Sequence, residues 1–418
     1  MERDDIFMAD LKIFTENIEE EALKQIEMLI AQPAFQDCKI RIMPDVHAGK
    51  GCVIGFTADL GDKVIPNIVG VDIGCGMRTV ELGKVDIDFE KLDRVIREKI
   101  PYGPNVNEEP CIPFNLKELR CCDHLHDIDR LERSCGSLGG GNHFIEIDED
   151  LEGNKYLVIH TGSRNLGKQV ADYYQSVAIE NLNGKEKLKE ATKNLIAKYK
   201  EAGREKDISK ALLDLKKTFQ PSISIPNELC YLKGQWRDDY LHDMGYCQFF
   251  AYMNRREIAN RIIGEIAWRS YTKTDIKWRI WNRPIGWSAF DTIHNYVDLN
   301  SNIVRKGAIS AAKGERVLIP MNMRDGCIIG IGKGNPDWNY SAPHGAGRVM
   351  SRAKAKESVS LDEYKASMQG IYSTSIDIST IDESPMAYKP MDEIIKNISD
   401  TVEIERIIKP IYNFKAGE

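Results

Sequence analysis

The sequence of 418 residues has no run of about 18 consecutive apolar residues, the length that a membrane-spanning helix requires. The N-terminus, Met1-Glu2-Arg3-Asp4-Asp5, is acidic and lacks the apolar stretch of a signal peptide. The ten cysteines are scattered and form no C-x-x-C pair. We therefore expect a cytoplasmic chain with mostly buried thiols and no membrane partner.

An excess of positive charge is also missing. Lys and Arg number 57 against 64 Asp and Glu, which gives a formal charge of −7. This balance excludes a basic field over the whole surface, although a local basic groove remains compatible with it. Ordinary counts of Gly (32) and Pro (16) exclude a collagen-like repeat, and 42% hydrophobic residues exclude a disordered chain.

The pattern of apolar residues predicts both strands and helices. Short apolar runs between Gly and Pro predict strands at Lys39–Met43, Cys52–Thr57, Arg78–Leu82 and Lys155–His160. Helical spacing predicts helices at 15–31, at Phe89–Ile100, from about Gly167, at 236–270, at 345–356 and at 360–369. Because these elements mix without a regular βαβ alternation, we expect an α+β fold with a large sheet.

Residues 183–218 differ from the rest of the chain in charge. They contain eleven Lys or Arg and six Asp or Glu, a local net charge of +5. Leu188, Leu195, Ile196 and Tyr199 form a helical stripe within them. One interpretation is a solvated helical hairpin, and the other is an insertion that faces RNA. The sequence leaves both interpretations open.

Five of the eight histidines fall in short segments that are dense in Gly, Asp and Asn. The segments are 43–50, 71–77, 136–146, 160–167, 293–295 and 341–348, and the histidines are His47, His143, His160, His294 and His344. A packed core does not need a histidine beside Gly-rich turns. Because such turns let the backbone approach a ligand, we expect a binding site here.

A metal site is the first interpretation of these segments. Asp72 and Cys75 lie three residues apart in a Gly-flanked segment, and His143, His160 and His294 add imidazoles. This donor set suits a borderline transition ion rather than Mg²⁺ or Ca²⁺, and the sulfur could bridge two ions. The alternative is a buried Cys75 with histidines that bond only to the backbone. Taken together, the five residues favour the metal site.

An anion site around His344-Gly-Ala-Gly-Arg348 is the second interpretation. A helix predicted over Arg348–Lys356 would begin after the glycines, and a helix N-terminus attracts phosphate. Arg348, Arg352 and Arg164 could bind phosphates, unless each forms only a surface salt bridge. An uncharged His344 imidazole is a competent nucleophile toward phosphorus. These residues predict a metal-dependent enzyme that acts on phosphate-containing substrates.

The same segments resemble those of the RtcB family of GTP-dependent RNA ligases. The motifs Val-Asp-Ile-Gly-Cys-Gly, Gly-Gly-Gly-Asn-His-Phe-Ile-Glu, His-Thr-Gly-Ser-Arg and His-Gly-Ala-Gly-Arg occur in the family's order between Met43 and the C-terminus. Residues 382–389 and Lys415 also resemble family motifs, whereas 183–226 is the least matched stretch. The resemblance implies one large α+β domain over 1–418, with mixed sheets around a central metal and nucleotide site and a charged helical insertion at about 183–226.

The resemblance also implies a reaction. The family joins an RNA 2′,3′-cyclic phosphate or 3′-phosphate end to a 5′-hydroxyl end with GTP and two Mn²⁺ ions, through a guanylylated histidine and an RNA 3′-guanylate. His344 matches that histidine, and Cys75 matches the ligand that bridges the two ions. The other matched residues are the metal ligands Asp72, His143, His160 and His294, the RNA-end residues Asp45 and Arg164, and the guanylate-binding residues Asn142, Glu146, Asn295, Asn322, Gly345, Gly347, Arg348, Tyr388 and Lys415.

One loop departs from the family pattern. The family commonly has Pro-Gly-Ser-Met-Gly where this chain has Pro320-Met-Asn-Met-Arg-Asp-Gly326, so Asn322 replaces a serine. Arg324 could pair with a nucleotide phosphate, or Asp325 could neutralise it within the loop. We expect guanine to stay favoured, because Glu146 can accept from its N1–H and N2–H groups. The RNA substrate, repair or tRNA splicing as the role, and an activating protein partner remain open.

Two other functions would use part of this machinery. A metal-dependent cyclic phosphodiesterase that processes RNA ends without sealing them would need the metal ligands but not His344. A non-catalytic protein that binds RNA ends would not need the metal ligands. The presence of His344 beside Gly345 and Gly347, together with all five predicted ligands, favours the ligase.

Overall fold

The computed structural model describes residues 10–182, 184–218, 225–266 and 288–416. The strands in these residues are Asp10–Ile13 (β1), Lys39–His47 (β2), Ile54–Asp59 (β3), Lys63–Val64 (β4), Gly76–Gly83 (β5), Phe144–Glu149 (β6), Lys155–Thr161 (β7), Leu232–Lys233 (β8), Ala289–Ile293 (β9), Asn295–Val297 (β10), Ile303–Lys306 (β11), Ala308–Ser310 (β12), Arg316–Asn322 (β13), Gly326–Gly332 (β14), Ser341–Pro343 (β15) and Val402–Lys415 (β16). The helices are Glu20–Ile30 (α1), Pro66–Val69 (α2), Phe89–Lys99 (α3), Ile128–Arg133 (α4), Arg164–Leu182 (α5), Lys185–Glu201 (α6), Ile208–Thr218 (α7), Gly234–Ile266 (α8), Arg352–Ser358 (α9), Leu361–Ser367 (α10) and Met391–Ile398 (α11).

Two large sheets carry the fold. One has seven antiparallel strands in the order β13-β14-β16-β6-β7-β5-β9. The other has five strands in the order β1-β2-β3-β11-β10, in which β1 and β2 run parallel and the remaining pairs are antiparallel. With helices packed on these sheets, the predicted α+β class with mixed sheets is confirmed.

The long helix α8 connects the two main hydrophobic cores. Tyr240 and Phe250, in its first half, belong to a core that also holds buried residues of α1, β2 and β3. Ile258 and Ile262, in its second half, pack with buried residues of α3, β6 and β7. Because α8 runs past the strands of both sheets, it can reach the loops at their ends.

Most of the predicted elements are present, with shifted bounds. The four predicted strands overlap β2, β3, β5 and β7, and the helices predicted at Phe89–Ile100 and 360–369 correspond to α3 and α10. The helix predicted over 15–31 begins only at Glu20. The helix predicted over 236–270 corresponds to α8, and its last four residues, 267–270, lie outside the described residues.

The helix predicted over Arg348–Lys356 is wrong at its start, because α9 begins at Arg352. Gly347 has a φ of +74°, and a Cβ atom there would lie 2.3 Å from the carbonyl oxygen of Asp45. The segment therefore packs as a loop against β2. Ser351 caps α9 by accepting a hydrogen bond from the Lys354 N–H. The predicted phosphate site at a helix N-terminus is thus absent at Arg348.

Residues 184–218 form two helices, α6 and α7, which pack against each other. Every side chain described on these two helices is at least partly exposed, including Lys189, Lys193, Lys198 and Lys200. Residues 183 and 219–224 of the predicted insertion lie outside the described residues. A helical hairpin is therefore present, and its role toward RNA remains a prediction.

The cysteines match the sequence-based expectation of mostly buried thiols. All ten are free, and eight of them are buried. Among the described residues, no helix combines the length and apolar character that crossing a membrane requires.

Candidate active site

Four neighbouring strands of the seven-stranded sheet bring predicted metal ligands together where the ends of these strands meet. β5 begins directly after Cys75 and pairs with the ends of β7 and β9. β6 begins directly after His143, and its first residue, Phe144, pairs with His160 of β7. His294 follows β9, and its N–H donates to the carbonyl of Cys75. Antiparallel pairing thus gathers four of the five predicted ligands.

Asp72, Cys75 and His143 form the first group of donors. His143 Nε2 lies 3.0 Å from Asp72 Oδ2 and 3.5 Å from Cys75 Sγ. A Cβ at position 162 would lie 2.1 Å from Asp72 Oδ1, so Gly162 leaves the space that this carboxylate occupies. Burial acts to raise the pKa of Asp72, but the hydrogen bond and charge of His143, together with smaller contributions from Cys75 and the Arg164 cation, outweigh burial and lower the pKa to about 2. The carboxylate is therefore ionised.

Cys75, His160 and His294 form the second group. Cys75 Sγ lies 3.3 Å from His160 Nε2, and one donor atom from each of the three residues lies within 4.8 Å of the others. Burial and the neighbouring imidazoles lower the pKa of His160 and His294 well below the usual value, so both rings are neutral at neutral pH. Cys75 is the one residue that belongs to both groups.

Hydrogen bonds to the backbone orient two of the imidazoles. His143 Nδ1 lies 2.9 Å from the Leu138 carbonyl oxygen, and His160 Nδ1 lies 3.1 Å from that of Asn142. When each Nδ1–H donates to its carbonyl, Nε2 presents a lone pair toward Cys75. His294 Nδ1 is buried and has no hydrogen-bond partner among the described residues. A bound cation would supply the partner that this buried nitrogen lacks.

The five donors fit a pair of transition-metal ions. Burial and the charge of Asp72 raise the pKa of the Cys75 thiol well above its usual value, and a bound cation reverses that effect by stabilising the thiolate. One thiolate, one carboxylate and neutral imidazoles match the ligand preferences of first-row divalent ions. The sulfur is the one donor atom that lies in both groups.

Arg164 lies beside this cluster in a strained backbone conformation. Its φ of +58° falls in the left-handed region, which non-glycine residues adopt at a cost. Its Nη1 lies 3.2 Å from His143 Nδ1. A Cβ at position 139 would lie 1.9 Å from this nitrogen, so Gly139 is required for the guanidinium to pack there. A partly buried cation therefore lies next to the predicted ligands.

His344 lies on the other side of His294, with the two ring centroids 4.8 Å apart. Its Nδ1 donates to Asp45 Oδ2 at 2.6 Å, and the backbone N–H groups of His344 and Gly345 donate to the same oxygen at 3.0 and 3.3 Å. Asp45 is fully buried. The carboxylate therefore fixes the ring with Nε2 facing away from it. The carboxylate of Asp45 thus contacts His344, and the RNA-end role that the resemblance implies for Asp45 stays a prediction.

A cleft of about 210 Å³ opens beside His344. Eight of the nine predicted guanylate-binding residues line it, namely Asn142, Glu146, Asn322, Gly345, Gly347, Arg348, Tyr388 and Lys415. The ninth, Asn295, lies outside the lining. Its amide nitrogen lies 3.3 Å from the Asp72 carbonyl oxygen, and its amide oxygen accepts from the Gly307 N–H at 3.0 Å. Asn295 thus supports the metal-ligand loop.

The altered loop at 320–326 neutralises its own charge. Arg324 Nε donates to Asp325 Oδ1 at 2.7 Å and Nη2 donates to Oδ2 at 3.0 Å. Asn322 accepts from the backbone N–H groups of Arg324 and Asp325, and its amide donates to Asp325 Oδ2 at 2.8 Å. Of the two sequence-based alternatives, neutralisation within the loop is therefore the arrangement present.

Glu383 is a buried residue of the cleft that the sequence analysis did not single out. Its Oε2 accepts from Lys415 Nζ at 2.6 Å and from the Tyr388 hydroxyl at 2.7 Å. Its Oε1 lies 2.8 Å from a nitrogen of Arg352 and 3.3 Å from one of Arg348. Although burial acts to raise it, the charges of Lys415 and Arg352 lower the pKa of Glu383 to about 2. Two of the three predicted phosphate-binding cations, Arg348 and Arg352, therefore already share one carboxylate.

Comparison with known proteins identifies the family. The family model described as tRNA-splicing ligase RtcB matches residues 25–120 and 118–416. The chain belongs to the RtcB family. It is 29% identical to the RNA-splicing ligase RtcB of Escherichia coli strain K12, with 95% of each chain covered. It is 25% identical to the tRNA-splicing ligase RtcB of Aeropyrum pernix, over 88% of this chain and 85% of that one.

Two adjacent residues of α8, which the sequence analysis missed, hold the loops of this RtcB-family site. Asn254 accepts from the Gly136 N–H at 2.7 Å and donates to the Gly162 carbonyl at 3.0 Å. Arg255 Nη1 donates to the carbonyls of Gly74 and Thr161, and its Nε donates to Asp291 at 2.9 Å. Both side chains are buried. The sequence did offer one signal for these two residues. An amide and a guanidinium stand side by side on the buried face of a long helix.

Replacement of Cys75 by Ala should remove more bound metal than replacement of any single predicted histidine ligand. The reason is that the sulfur belongs to both donor groups, so its loss removes a ligand from each. Metal content is measured by elemental analysis after loading with Mn²⁺ and desalting. Cys230→Ala, at a buried free thiol in another part of the fold, is the matched control. Full metal content in the Cys75→Ala protein would contradict the shared-ligand arrangement.

Replacement of Glu383 by Gln should destabilise the fold by about 3 kcal/mol at neutral pH, because it leaves buried cations without their carboxylate. The folded-state pKa of about 2 lies below the ordinary value of 4.5, so the ionised form stabilises the fold above that value. This stabilisation disappears as the pH falls from the ordinary value toward the folded one. Denaturant unfolding should therefore show a smaller difference from the wild type at acidic pH.

The exposed residue Glu109 provides the control for this experiment. Glu109→Gln should unfold like the wild type at every pH. A Glu383→Gln protein as stable as the wild type at neutral pH would show that Glu383 does not organise the cations of the cleft.

Proposed function

We propose that this chain is a metal-dependent RNA ligase that uses GTP to join a 2′,3′-cyclic phosphate or 3′-phosphate end to a 5′-hydroxyl end. The proposal rests on one observation, an unbroken series of contacts from Cys75 to His344. Cys75 contacts His160, His160 stacks edge-on with His294, and the His294 ring lies 4.8 Å from that of His344. The imidazole that we propose as the nucleophile thus lies next to the proposed metal ligands and lines the cleft of about 210 Å³.

The metal ligands are proposed to be Asp72, Cys75 and His143 for one ion and Cys75, His160 and His294 for the other. Mn²⁺ is the proposed ion, by family membership. When bound, the two ions act as Lewis acids that neutralise charge developing on phosphate oxygens. Zn²⁺ binds such donor sets more tightly than Mn²⁺, so we expect Zn²⁺ to compete for the site.

His344 is the proposed nucleophile. Asp45 holds the proton on Nδ1, which leaves the Nε2 lone pair free to attack the α-phosphorus of GTP. The new P–N bond forms as the bond to the bridging oxygen breaks, and pyrophosphate leaves. Water first opens a 2′,3′-cyclic phosphate end to a 3′-phosphate. The RNA 3′-phosphate then takes the guanylate as its bond to His344 breaks, and the 5′-hydroxyl displaces GMP. Throughout, Asp45 stabilises positive charge on the imidazole as the buried carboxylate of a catalytic triad does.

The cleft is proposed to bind the guanosine part of GTP. Glu146 would accept from the guanine N1–H and N2–H groups, because it is the buried carboxylate of the cleft wall on β6. Arg348, Tyr388 and Lys415 would donate to the nucleotide while Glu383 holds them in place. The loop that contains Asn322 lies along the same wall.

RNA is proposed to reach the site past Arg164, whose partly buried guanidinium lies against His143. The charged insertion at about 183–226 of this single large domain would supply a further basic surface, on α6 and α7. We propose that the protein acts in the cytoplasm, in RNA repair or tRNA splicing. An activating protein partner belongs to the same proposal and would raise turnover.

Replacement of His344 by Ala should abolish formation of the guanylate adduct, and Asp45→Asn should slow it by roughly 10²- to 10⁴-fold, because the imidazole loses the group that fixes its proton. Mass spectrometry of the protein after incubation with GTP and Mn²⁺ measures the adduct. His126→Ala, at an exposed histidine, is the control and should react like the wild type.

A His344→Ala protein that still carries guanylate would refute the nucleophile assignment. A wild-type protein that opens cyclic phosphates but never forms an adduct would instead be a phosphodiesterase without sealing activity. The two outcomes are separated by assaying the same preparation for both products.

Replacement of Lys193, Lys198 and Lys200 by Gln should weaken RNA binding and flatten its salt dependence, with little effect on guanylylation. Each lost contact with single-stranded RNA should reduce the slope of log affinity against log salt by about 0.7. Filter binding over a range of salt concentrations measures the slope. Lys24, Lys84 and Lys396, exposed elsewhere, give the matched triple control. An unchanged slope would identify the hairpin as a merely solvated face.

A further inference from the structure

Two thiols meet beside the segment that leads to the predicted ligand His143. Cys111 lies in the loop of residues 103–115, and Cys135 lies 24 residues further along the chain, directly before Gly136. The sulfur of Cys111 lies 3.0 Å from the carbonyl oxygen of Cys135. The two thiols are also hydrogen-bonded to each other. Neither residue belongs to the proposed metal or nucleotide ligands.

The two thiols differ in their access to solvent. Cys111 is the one exposed thiol among the ten cysteines, whereas Cys135 has 0% exposure. An oxidant in solution can therefore reach the sulfur of Cys111 but not that of Cys135. Cysteines that respond to oxidation are typically accessible and lie next to a second cysteine that resolves the oxidised form. Exposure thus assigns a different role to each thiol.

The surroundings of Cys111 favour its reactive form. The Cys135 thiol donates to the Cys111 sulfur, and this hydrogen bond lowers the pKa of Cys111. The charges of Glu257 and Arg261 act on Cys111 in opposite directions, and these two side chains are paired at 2.8 Å. Because the thiolate is the nucleophilic form of cysteine, the contact with Cys135 increases the reactivity of Cys111.

Hydrogen bonds hold the two backbone segments together around the thiols. Asn107 Nδ2 donates to the carbonyls of Arg133 and Cys135 at 2.8 and 2.6 Å. Arg261 Nη1 in turn donates to Asn107 Oδ1 at 2.8 Å. These contacts keep the sulfurs of Cys111 and Cys135 within reach of each other.

We propose that Cys111 and Cys135 form an oxidation site, in which hydrogen peroxide oxidises the exposed thiol and the buried thiol converts the product into an internal disulfide. The Cys111 thiolate attacks one peroxide oxygen, so an S–O bond forms and the O–O bond breaks. The hydroxide that leaves takes up the proton lost by Cys111 and becomes water.

The second step closes the disulfide. The sulfur of Cys135 attacks that of Cys111, the S–S bond forms and the S–O bond breaks. A second water molecule leaves with the proton of Cys135. Two thiols and one peroxide thus give one disulfide and two water molecules, and a small dithiol reverses the oxidation by thiol–disulfide exchange.

The disulfide would restrain the backbone behind the predicted metal ligands. It would join the loop of residues 103–115 to the segment 136–139. In that segment, Gly139 gives Arg164 its space, and the carbonyl oxygen of Leu138 lies 2.9 Å from His143 Nδ1. A disulfide that closes a loop also restricts the unfolded chain, so the oxidised protein should be the more stable form.

Mass spectrometry of the full-length protein, treated with an equimolar amount of hydrogen peroxide, tests the proposal. Free thiols are alkylated, and the protein is digested without reduction. The wild type should lose two hydrogen atoms and give a peptide pair that joins Cys111 to Cys135, and dithiothreitol should remove this link. Cys122→Ser, at a partly exposed thiol, is the control and should form the same link.

Replacement of one cysteine at a time separates the two roles. Cys135→Ser should leave Cys111 as a sulfenic acid that dimedone traps, because no second thiol resolves it. Cys111→Ser should give neither the link nor a dimedone adduct on Cys135, because that sulfur is buried. Cys135→Ala should behave like Cys135→Ser, which keeps the test open if one variant does not fold.

Urea unfolding measures the restraint. The oxidised wild type should unfold at a higher urea concentration than the reduced protein, whereas Cys111→Ser should unfold alike with and without peroxide. Equal midpoints for the oxidised and reduced wild type would overturn the restraint of the loop.

Three other results would overturn the oxidation site. They are a link from Cys111 to a different cysteine, a disulfide between two chains, and oxidation of Cys111 in the wild type to a sulfinic acid without any link. A dimedone adduct on Cys135 in the Cys111→Ser protein would overturn the assignment of roles, because the buried thiol would then react directly with the oxidant.

Discussion

The position of a single sulfur atom constrains the rest of this site. Cys75 Sγ lies 3.3 Å from His160 Nε2 and 3.5 Å from His143 Nε2, and it belongs to both groups of donors. Packing alone would not require a thiol against two imidazoles and a carboxylate. Burial and the charge of Asp72 raise the pKa of the Cys75 thiol and keep it protonated. A pair of cations would make the same arrangement favourable, because one thiolate would then be shared between them.

That position requires a particular strand register. Phe144 lies opposite His160, and Met77, two residues after Cys75, lies opposite His160 from the other side. A slip of one residue between β6, β7 and β5 would turn the imidazole to the opposite face of the sheet. Helix α8 secures the loops at this edge, because Arg255 donates to the carbonyls of Gly74 and Thr161. Helix α8 packs in both hydrophobic cores, so the position of these loops depends on both.

Much of this site could be predicted from residue types in Gly-rich segments. His143 and His160 attract attention because a histidine close to glycines has no packing purpose, and His294 because it stands beside Asn295. All three lie close to Cys75 in the structure. Arg255 could not be found in this way, because its partners Gly74 and Thr161 are distant in sequence. Glu383 lies within the matched stretch 382–389, but its role depends on Lys415, which is 32 residues away. The helix expected from Arg348 failed for a related reason: the contact of Gly347 with Asp45, about three hundred residues away, overrides local helical spacing. Long-range hydrogen bonds and close backbone contacts decide these details.

We propose that two metal ions share Cys75 and that His344, held by Asp45, accepts the guanylate beside them. A crystal structure of the protein grown with Mn²⁺ and GTP, with anomalous scattering recorded at the manganese edge, would reveal both features. We expect two anomalous peaks next to Cys75 Sγ and continuous density from His344 Nε2 to the phosphorus of a guanylate in the cleft. A single peak away from the sulfur, or a guanylate attached to another residue, would refute this arrangement.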